Sequence, residues 1–170
     1  METHQIYLAG GCFWGTEHFL QQLTGITETK VGFANGKTEN PSYQQVCKAN
    51  TGHAETVKVT YDPSAISLSE ILNLFFMTID PTSVNRQGGD TGTQYRTGIY
   101  YTDKEDLPII NAVIASLSKQ YSLPVVVEVK PLDNFYLAED YHQDYLYKNP
   151  AGYCHINPKL FEIARNYKKE

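Results

Sequence analysis

The sequence predicts an α+β fold in which a mixed or antiparallel sheet packs against helices. Strand-like and helix-like segments interleave, but strands at residues 26–33 and 56–61 follow each other without a helix between them. Consecutive strands of this kind favour antiparallel pairing over a doubly wound parallel sheet. The chain has 170 residues, of which 41% are hydrophobic. That content is enough for one hydrophobic core, so we expect residues 1–170 to form a single domain.

The first strand and the first helix meet at a pair of glycines. Residues 5–9 are predicted to form a short strand, which runs into Gly10 and Gly11. Large side chains then recur at helical spacing, which predicts a helix that begins at about Cys12 and ends before Gly25. The repeating residues are Phe13, Thr16, Phe19, Leu20 and Leu23.

The middle of the chain holds the two adjoining strands and a capped helix. Within residues 56–61 the pattern alternates, so that Val57, Val59 and Tyr61 share one face of the strand. Ser67-Leu68-Ser69-Glu70 has the form of a capping box, which marks a helix start. The apolar stripe of that helix is Leu68, Ile71, Leu72, Phe75 and Ile79.

The second half of the chain is predicted to hold two strands and two helices. The strands are expected at residues 97–101 and 125–129. Asp103 is expected to cap a helix whose buried face is Leu107, Ile110, Val113, Ile114 and Leu117. A shorter amphipathic helix is expected before Pro150, marked by Ala138, Tyr141, His142, Tyr145 and Leu146.

Two stretches lack a periodic pattern, residues 80–95 and residues 149–158. The first carries three glycines among polar residues, and the second carries prolines and a glycine around Cys154. Long irregular loops are uncommon inside compact domains and are often functional. We therefore expect functional residues in both stretches.

Composition and charge exclude several classes of function. The 14 Lys and Arg residues are outnumbered by 19 Asp and Glu, whereas a nucleic-acid or membrane-surface binder needs a dense cationic face. The longest apolar run, residues 71–79, is too short to span a membrane. The first nine residues do not resemble a signal peptide. We therefore expect a cytoplasmic protein with no nucleic-acid or membrane partner.

Cys12 is the strongest candidate for a reactive residue. Three cysteines in a chain of this length do not form a disulfide scaffold, and an unpaired cysteine in a reducing cytoplasm is typically chemical. The start of a helix favours thiolate over thiol, and the neighbouring glycines leave the sulfur approachable. Phe13 and Trp14 place aromatic surface beside it. This setting suits attack on a small apolar substrate group.

Other interpretations of these residues remain open. Cys12 could serve as a small buried hydrophobe. A phosphate-binding loop is disfavoured because neither a Gly-Lys-Ser/Thr ending nor a GxGxxG pattern is present. His53 and His142 lack the spacing of zinc ligands, and residues 80–90 lack the acidic spacing of a calcium loop. We expect no metal ligands and no bound cofactor.

The sequence resembles one known family through several motifs in order. The motif Gly11-Cys12-Phe13-Trp14-Gly15 is similar to the signature of the type A peptide methionine sulfoxide reductases. Further matching segments are Tyr43-Gln44-Gln45-Val46-Cys47 with Thr51-Gly52-His53-Ala54-Glu55, then Asp80-Pro81-Thr82 with Gln87-Gly88, Asp90, Gly92 and Gln94-Tyr95-Arg96, and Ala138-Glu139 with Tyr141-His142-Gln143. The resemblance extends from about residue 5 to residue 155, so it covers nearly the whole chain.

This resemblance implies an activity and the detail of a fold. The activity is reduction of methionine sulfoxide, free or in proteins, with selectivity for the S epimer, in the repair of oxidative damage. The implied electron donor is thioredoxin, so no bound cofactor is needed. The implied fold is a two-layer sandwich with a ferredoxin-like core, a mixed sheet flanked by helices and a long irregular C-terminal segment. We expect the protein to act as a monomer.

The resemblance also implies a role for each residue at the sulfoxide. Cys12 matches the nucleophile, and Glu55 matches the acid, which must have a raised pKa in order to donate a proton. Tyr43 and Tyr95 would point their hydroxyls at the sulfoxide oxygen. Three residues would bind the substrate: Phe13 and Trp14 would enclose the methyl group, and Asp90 would accept a hydrogen bond from the substrate amide or hold its own loop.

A second thiol is required to complete the redox cycle. Attack would leave Cys12 as a sulfenic acid, which condenses readily with another thiol. Cys154 is the candidate, because Gly152-Tyr153-Cys154 is similar to the resolving segment of many family members. Cys47 is expected to be a packed thiol. Because no cysteine follows Cys154, the Cys12–Cys154 disulfide itself would meet the reductant.

Two functions of other classes also fit a reactive cysteine in an aromatic setting. A Cys–His hydrolase would need a base beside Cys12 and would release a cleavage product without added dithiol. A non-catalytic peptide-binding module would use the aromatic pocket without turnover, and replacement of Cys12 by serine would leave its affinity unchanged.

Overall fold

A six-stranded mixed sheet forms the centre of the fold. The computed structural model describes residues 3–48, 51–152, 154 and 156–167. The strands are β1 (His4–Gly10), β2 (Ile26–Ala34), β3 (Ala54–Tyr61), β4 (Arg86–Gln87), β5 (Asp90–Thr91), β6 (Thr97–Tyr101), β7 (Glu128–Pro131) and β8 (Phe135–Leu137). The sheet order is β7-β6-β1-β3-β2-β8, and β4 with β5 forms a separate small hairpin. Strands β6 and β7 are parallel, and the other neighbours are antiparallel.

Six α-helices accompany the sheet, together with three short 3₁₀ turns. The helices are α1 (Phe13–Gln21), α2 (Tyr43–Lys48), α3 (Leu68–Phe75), α4 (Asp106–Ser118), α5 (Tyr145–Lys148) and α6 (Pro158–Asn166). The turns are Phe76–Thr78, Thr93–Tyr95 and Asp140–His142. The predicted α+β class with a mixed sheet flanked by helices is confirmed. The expected ferredoxin-like core stays a prediction. Among the described residues, no helix combines the length and the apolar composition needed to cross a membrane.

One face of the sheet carries the main hydrophobic core, against which the helices pack. The alternating side chains that β1 and β3 direct to this face are inaccessible or nearly so: Ile6, Leu8, Val57, Val59 and Tyr61. Each buried aliphatic side chain of this kind contributes about 1.5–3 kcal/mol. The register is therefore fixed, because a slip by one residue would expose the whole row.

The opposite face of the sheet holds a smaller cluster. Its members, all buried, are Tyr7, Ala9, Ala34, Ala54 and Tyr100. Phe135 of β8 and Leu132, which precedes β8, pack over this cluster. The chain after α4 therefore covers the face that the helices leave free.

Two predicted boundaries, at the starts of β7 and α4, differ from the structure. The strand expected at residues 125–129 is β7, which begins later because it pairs in register from Glu128 to Pro131. The helix expected to be capped by Asp103 begins only at Asp106; Asp103 forms the preceding turn, with its carboxylate accepting from the Glu105 N–H (2.9 Å). The predicted buried face of that helix is confirmed at Ile110, Val113 and Leu117.

The helix expected before Pro150 is broken in two. Residues Asp140–His142 form a 3₁₀ turn, and α5 begins only at Tyr145. Between them Asp144 has left-handed backbone geometry (φ 55°), which no continuous right-handed helix can contain. The sequence analysis did not predict α2 and β8, because both are too short to show a period. It also did not predict α6.

We predict that Ser67→Ala lowers the free energy of unfolding by about 1 kcal/mol, because it removes the cap of α3. The Glu70 N–H donates to Ser67 Oγ (3.1 Å), and the Ser67 N–H donates to Glu70 Oε1 (3.1 Å). Urea denaturation followed by circular dichroism measures the change. The matched control is Ser69→Ala in the same turn, which should leave stability unchanged or slightly higher. Equal losses in both variants would contradict the capping role.

Candidate active site

Cys12 lies at the junction of β1 and α1, as predicted. It is the N-cap residue of α1, and Gly11 before it has a left-handed backbone (φ 83°) that glycine adopts without strain. The hydroxyl of Thr16, one turn along, donates to Gly10 O (3.2 Å) and ties the helix to the end of the strand. The strand-to-helix turn thus fixes the backbone that carries the sulfur.

The protonation state expected for Cys12 is wrong for the resting protein. Burial raises the pKa of its thiol well above the ordinary value of 9.0, and the negative charge of Glu55 raises it further. A hydrogen bond from the Trp14 backbone lowers the pKa, but by less than burial raises it. Desolvation therefore outweighs the helix N-terminus, and Cys12 is a thiol at neutral pH. Any thiolate must form as the substrate reacts.

Glu55 lies at the start of β3, directly beside the first turn of α1. Its side chain is buried, and Oε1 accepts a hydrogen bond from the Phe13 N–H (3.2 Å). Its other oxygen, Oε2, is buried without a partner among the described residues. Burial raises the pKa of this carboxyl to about 8, against a smaller lowering by the Phe13 N–H. Glu55 is therefore protonated near neutral pH, as a general acid must be.

Aromatic rings form the wall beside these two groups. Phe13 is buried, and its ring stacks against Tyr43 with centroids 6.2 Å apart. Trp14 is half-buried and stacks almost parallel on Tyr145, with centroids 3.8 Å apart and 9° between planes. The indole N–H of Trp14 donates to His142 Nδ1 (2.9 Å). The predicted pairing of Phe13 and Trp14 beside Cys12 thus forms part of a larger cup.

Tyr43, Tyr95 and Asp90 converge on the same place from three different elements. Tyr43 begins α2, Tyr95 ends a 3₁₀ turn before β6, and Asp90 lies in the small hairpin. Burial raises the pKa of both phenols well above the ordinary value, and the charge of Glu55 raises each further. The charge of Asp90 raises the pKa values of Cys12, Glu55 and Tyr95. Both phenols therefore stay protonated and able to donate hydrogen bonds.

A half-buried ion pair holds the turn that carries Tyr95. Arg96 follows Tyr95, and its Nε lies 3.3 Å from Glu128 Oε1 on β7. Arg96 also donates to Thr93 O (2.9 Å), and the hydroxyl of Tyr100 donates to Glu128 Oε1 (2.7 Å). Burial raises the pKa of Glu128, but the Tyr100 hydroxyl and Arg96 together bring it below the ordinary value. The carboxylate is therefore ionised and anchors the turn at neutral pH.

The structure places Cys154 against the first turn of α1, the helix that Cys12 caps. A Cβ atom built on Gly15 would lie only 2.8 Å from Cys154 Sγ, so the sulfur packs where any other residue would have a side chain. The Cys154 thiol is close enough to Cys12 to raise its pKa. All three cysteines are free thiols. Tyr153 of the predicted resolving segment lies outside the described residues.

Cys47 lies at the rim of the site instead of in the core. It was expected to be packed, but it is exposed on α2. Its thiol forms hydrogen bonds with the phenols of Tyr43 and Tyr95. The expectation of a packed thiol is therefore wrong, because α2 is one short turn on the surface.

Two residues of the cup were not predicted as site residues. Tyr145 forms the face on which Trp14 stacks, and Glu139 accepts from the Tyr43 N–H at the start of α2 (3.2 Å). His142 was expected to be a hydrogen-bonded core or wall residue, and its burial and its bond to Trp14 confirm this. The family motif at Ala138-Glu139 and Tyr141-His142-Gln143 indicated that this segment is functional. It did not indicate which residues these side chains contact. In the part of the chain that is described, no three His, Cys, Asp or Glu residues group as metal ligands do.

Comparison with known sequences gives one consistent match. A family model described as peptide methionine sulfoxide reductase matches residues 4–170, a span that includes every predicted site residue. The chain is 56% identical over 161 residues to the peptide methionine sulfoxide reductase MsrA of Lachnoclostridium phytofermentans. That alignment covers 95% of this chain and 97% of the relative.

Comparison with solved structures agrees. The reduced form of Mxr1 from Saccharomyces cerevisiae is similar with a TM-score of 0.86 and 39% identity, covering 99% of this chain and 93% of that one. Mxr1 in complex with Trx2 is similar with a TM-score of 0.61 and 27% identity, covering 85% of each chain.

We predict that Glu55→Gln is more stable than the wild type at pH 8 by about 4 kcal/mol. The pKa of Glu55 is about 8 in the folded protein and ordinarily 4.5, so the folded state keeps a proton that the unfolded state loses. The free energy of unfolding of the wild type therefore falls as pH rises between these values. A neutral glutamine cannot titrate, so its variant loses this part of the pH dependence.

Urea denaturation at pH 5 and pH 8 measures the effect, which should be larger at the higher pH. Glu28→Gln is the matched control, because Glu28 is exposed on β2. Parallel pH profiles for the wild type and Glu55→Gln would mean that Glu55 is ionised in the folded protein.

Proposed function

The chain belongs to the peptide methionine sulfoxide reductase family, and on that premise we propose that it reduces the S epimer of methionine sulfoxide through Cys12 and Glu55. The substrate is methionine sulfoxide, free or in oxidised proteins, and the product is methionine. One observation carries the assignment of residues: a protonated carboxyl lies beside the thiol at the start of α1, and one of its oxygens has no partner among the described residues.

The chemistry of a sulfoxide explains why both groups are needed. The sulfur is electrophilic, but its oxygen leaves poorly until it is protonated. Glu55 donates its proton to that oxygen from Oε2, and the phenols of Tyr43 and Tyr95 donate hydrogen bonds to it. Once Glu55 has become a carboxylate, it can accept the proton that the Cys12 thiol loses as its sulfur attacks.

The atoms and electrons of this step balance without a cofactor. The S–O bond of the substrate breaks, and a bond between that oxygen and Cys12 Sγ forms. The sulfoxide sulfur gains two electrons and becomes a sulfide, while Cys12 loses two and becomes a sulfenic acid. The proton on the sulfenic oxygen is the one that Glu55 donated, and the proton of the original thiol restores the neutral carboxyl of Glu55.

The aromatic cup supplies binding and selectivity. Phe13 and Trp14 contact the S-methyl group through apolar surface and sulfur–aromatic interaction. Asp90 accepts a hydrogen bond from the substrate amide or orders its own hairpin next to the substrate. A pocket that fixes the methyl group on one side and the oxygen on another distinguishes the two epimers at sulfur, because exchanging oxygen and lone pair moves the oxygen away from Glu55.

Cys154 completes the cycle. Its thiol attacks the sulfenic sulfur of Cys12, water leaves, and a Cys12–Cys154 disulfide forms. Its packing against Gly15 supports this pairing. Beside Cys154 opens a cavity of about 500 Å³, lined by His18, Leu146, Tyr147, Ile156 and Phe161 among others, which leaves this side of the sulfur accessible.

Thioredoxin is the proposed reductant of this disulfide. The complex of the related Mxr1 with Trx2 supports this proposal. Two successive thiol–disulfide exchange steps with a dithiol would return Cys12 and Cys154 to thiols. The three free thiols suit a reducing compartment, and we place the protein in the cytoplasm as a monomer.

A Cys–His hydrolase is less well supported. The charged or titratable groups that act on Cys12 are Glu55, Asp90 and Cys154, and no histidine is among them in the described part of the chain. His142 already accepts a hydrogen bond from Trp14 at Nδ1. Within the described residues, Cys12 thus has an acid beside it and lacks the base that a hydrolase requires.

We predict that the reduced protein with dithiothreitol converts the S epimer of a methionine sulfoxide amide to the sulfide, with the R epimer at least about 100-fold slower. Cys12→Ser should show no conversion. Chiral chromatography of the product and of the remaining substrate measures both rates. Conversion by Cys12→Ser, or equal rates for the two epimers, would contradict the proposal.

We predict that one equivalent of S sulfoxide, added without reductant, produces a Cys12–Cys154 disulfide. Peptide mass spectrometry identifies the linked cysteines. In Cys154→Ser the same treatment should leave a sulfenic acid on Cys12, trapped by dimedone, and thioredoxin should no longer support turnover. A Cys12–Cys47 link in the wild type would show that Cys154 is not the resolving residue.

A further inference from the structure

Glu17 is a buried carboxyl that the proposed chemistry does not use. It lies on α1, one turn beyond Trp14, and its side chain is 1% exposed. Both oxygens are engaged: Oε1 accepts from the Asp144 N–H (2.8 Å), and Oε2 accepts from the Thr29 hydroxyl (2.9 Å). The carboxyl therefore joins α1 to β2 and to the turn before α5.

The turn that Glu17 holds is strained. Asp144 has φ 55° and ψ 33°, a left-handed conformation that costs a residue other than glycine about 1 kcal/mol. Two contacts from α1 support it, the Glu17 carboxyl at the Asp144 N–H and the Gln21 amide, which donates to Asp144 Oδ1 (2.6 Å). Conformations of this kind persist where the surroundings fix them, and they concentrate near functional sites.

The residue that follows this turn is part of the cup. Tyr145 stacks on Trp14 with 3.8 Å between centroids. Since Trp14 and Glu17 are three residues apart on α1, they lie on the same side of the helix. A closed ring of contacts results, which runs from Trp14 to Tyr145, through Asp144 to Glu17, and back along the helix.

We propose that Glu17 is a positioning residue for the reaction: by fixing the left-handed turn at Asp144 it holds Tyr145 against Trp14 and so sets the indole wall of the methyl pocket. This inference rests on the proposed function, in which Trp14 contacts the substrate methyl group. Glu17 itself touches neither the sulfoxide nor the reacting thiol.

A space-filling role alone does not explain a carboxyl at this position. Burial raises the pKa of Glu17 from the ordinary value of 4.5 to about 7. At pH values above 4.5, the buried carboxyl therefore lowers the free energy of unfolding. An apolar side chain of similar size would fill the volume without that cost. The feature that an apolar side chain lacks is the pair of acceptors that meet Asp144 and Thr29.

Glu17→Met tests the proposal, because methionine keeps the length and removes both acceptors. Trp14 is the only tryptophan of the chain, so tryptophan emission reports directly on the indole. We expect a red shift of emission and stronger acrylamide quenching in this variant, as the stack on Tyr145 loosens. Glu17→Gln keeps one acceptor for the Asp144 N–H and should retain the emission of the wild type.

Kinetics with the small S sulfoxide separates positioning from general damage. In Glu17→Met we expect KM to rise by about 10-fold while kcat changes by less than about 3-fold, because the methyl pocket is altered and the Cys12–Glu55 pair is not. Glu17→Gln should stay within about 2-fold of the wild type in both constants. Glu28→Met on the exposed face of β2 is the matched control and should change neither emission nor KM.

Every outcome decides the question. Should Glu17→Met fail to fold, Glu17→Asp replaces it, since aspartate keeps the charge but falls one methylene short of the Asp144 N–H. A folded variant with a lower melting temperature but unchanged emission and unchanged KM would show a purely structural role and overturn the proposal. If the wild type lacks reductase activity, the proposed function fails, whereas the emission series still reports whether Glu17 positions Trp14.

Discussion

The backbone N–H of Phe13 donates to Glu55 Oε1, and this bond joins the first turn of α1 to the start of β3. The two segments are 42 residues apart in sequence, and the pairing of β1 with β3 brings them together. Because the bond occupies one carboxyl oxygen, it directs the other into the space beside Cys12. The bond thus holds the Glu55 carboxyl next to the turn of helix that carries Cys12 and Phe13.

The same desolvation raises the pKa of both Cys12 and Glu55, but it has opposite consequences for their proposed roles. It keeps Glu55 protonated, as a general acid must be. It also keeps Cys12 protonated, whereas a sulfur nucleophile must be a thiolate. A resting site without a thiolate reacts slowly with oxidants and alkylating agents other than the substrate, because the thiolate is the reactive form. In the proposed mechanism the substrate oxygen starts the reaction, because by accepting the proton of Glu55 it creates the carboxylate that can deprotonate the thiol.

The sequence was informative where function and fold use short-range patterns. The strand-to-helix turn at Cys12, the alternation through Val59 and the cap at Ser67 all arise from neighbouring residues, and each was predicted. Features that depend on distant contacts were not. The pKa of Cys12 is set by burial beneath other segments, and the left-handed turn at Asp144 is stabilised by a helix more than 120 residues earlier. The place of Cys47 was missed because α2 is one turn long and has no period.

Gly15 shows how the proposed redox pair of Cys12 and Cys154 constrains the helix that begins at Cys12. Glycine inside a helix costs about 1 kcal/mol relative to alanine, and α1 accepts this loss in its first turn. The sulfur of Cys154 occupies the space where a methyl group would be. Alanine at this position would form the helix better but would collide with the sulfur of Cys154, so helix stability and the close packing of the proposed redox pair make opposite demands on residue 15.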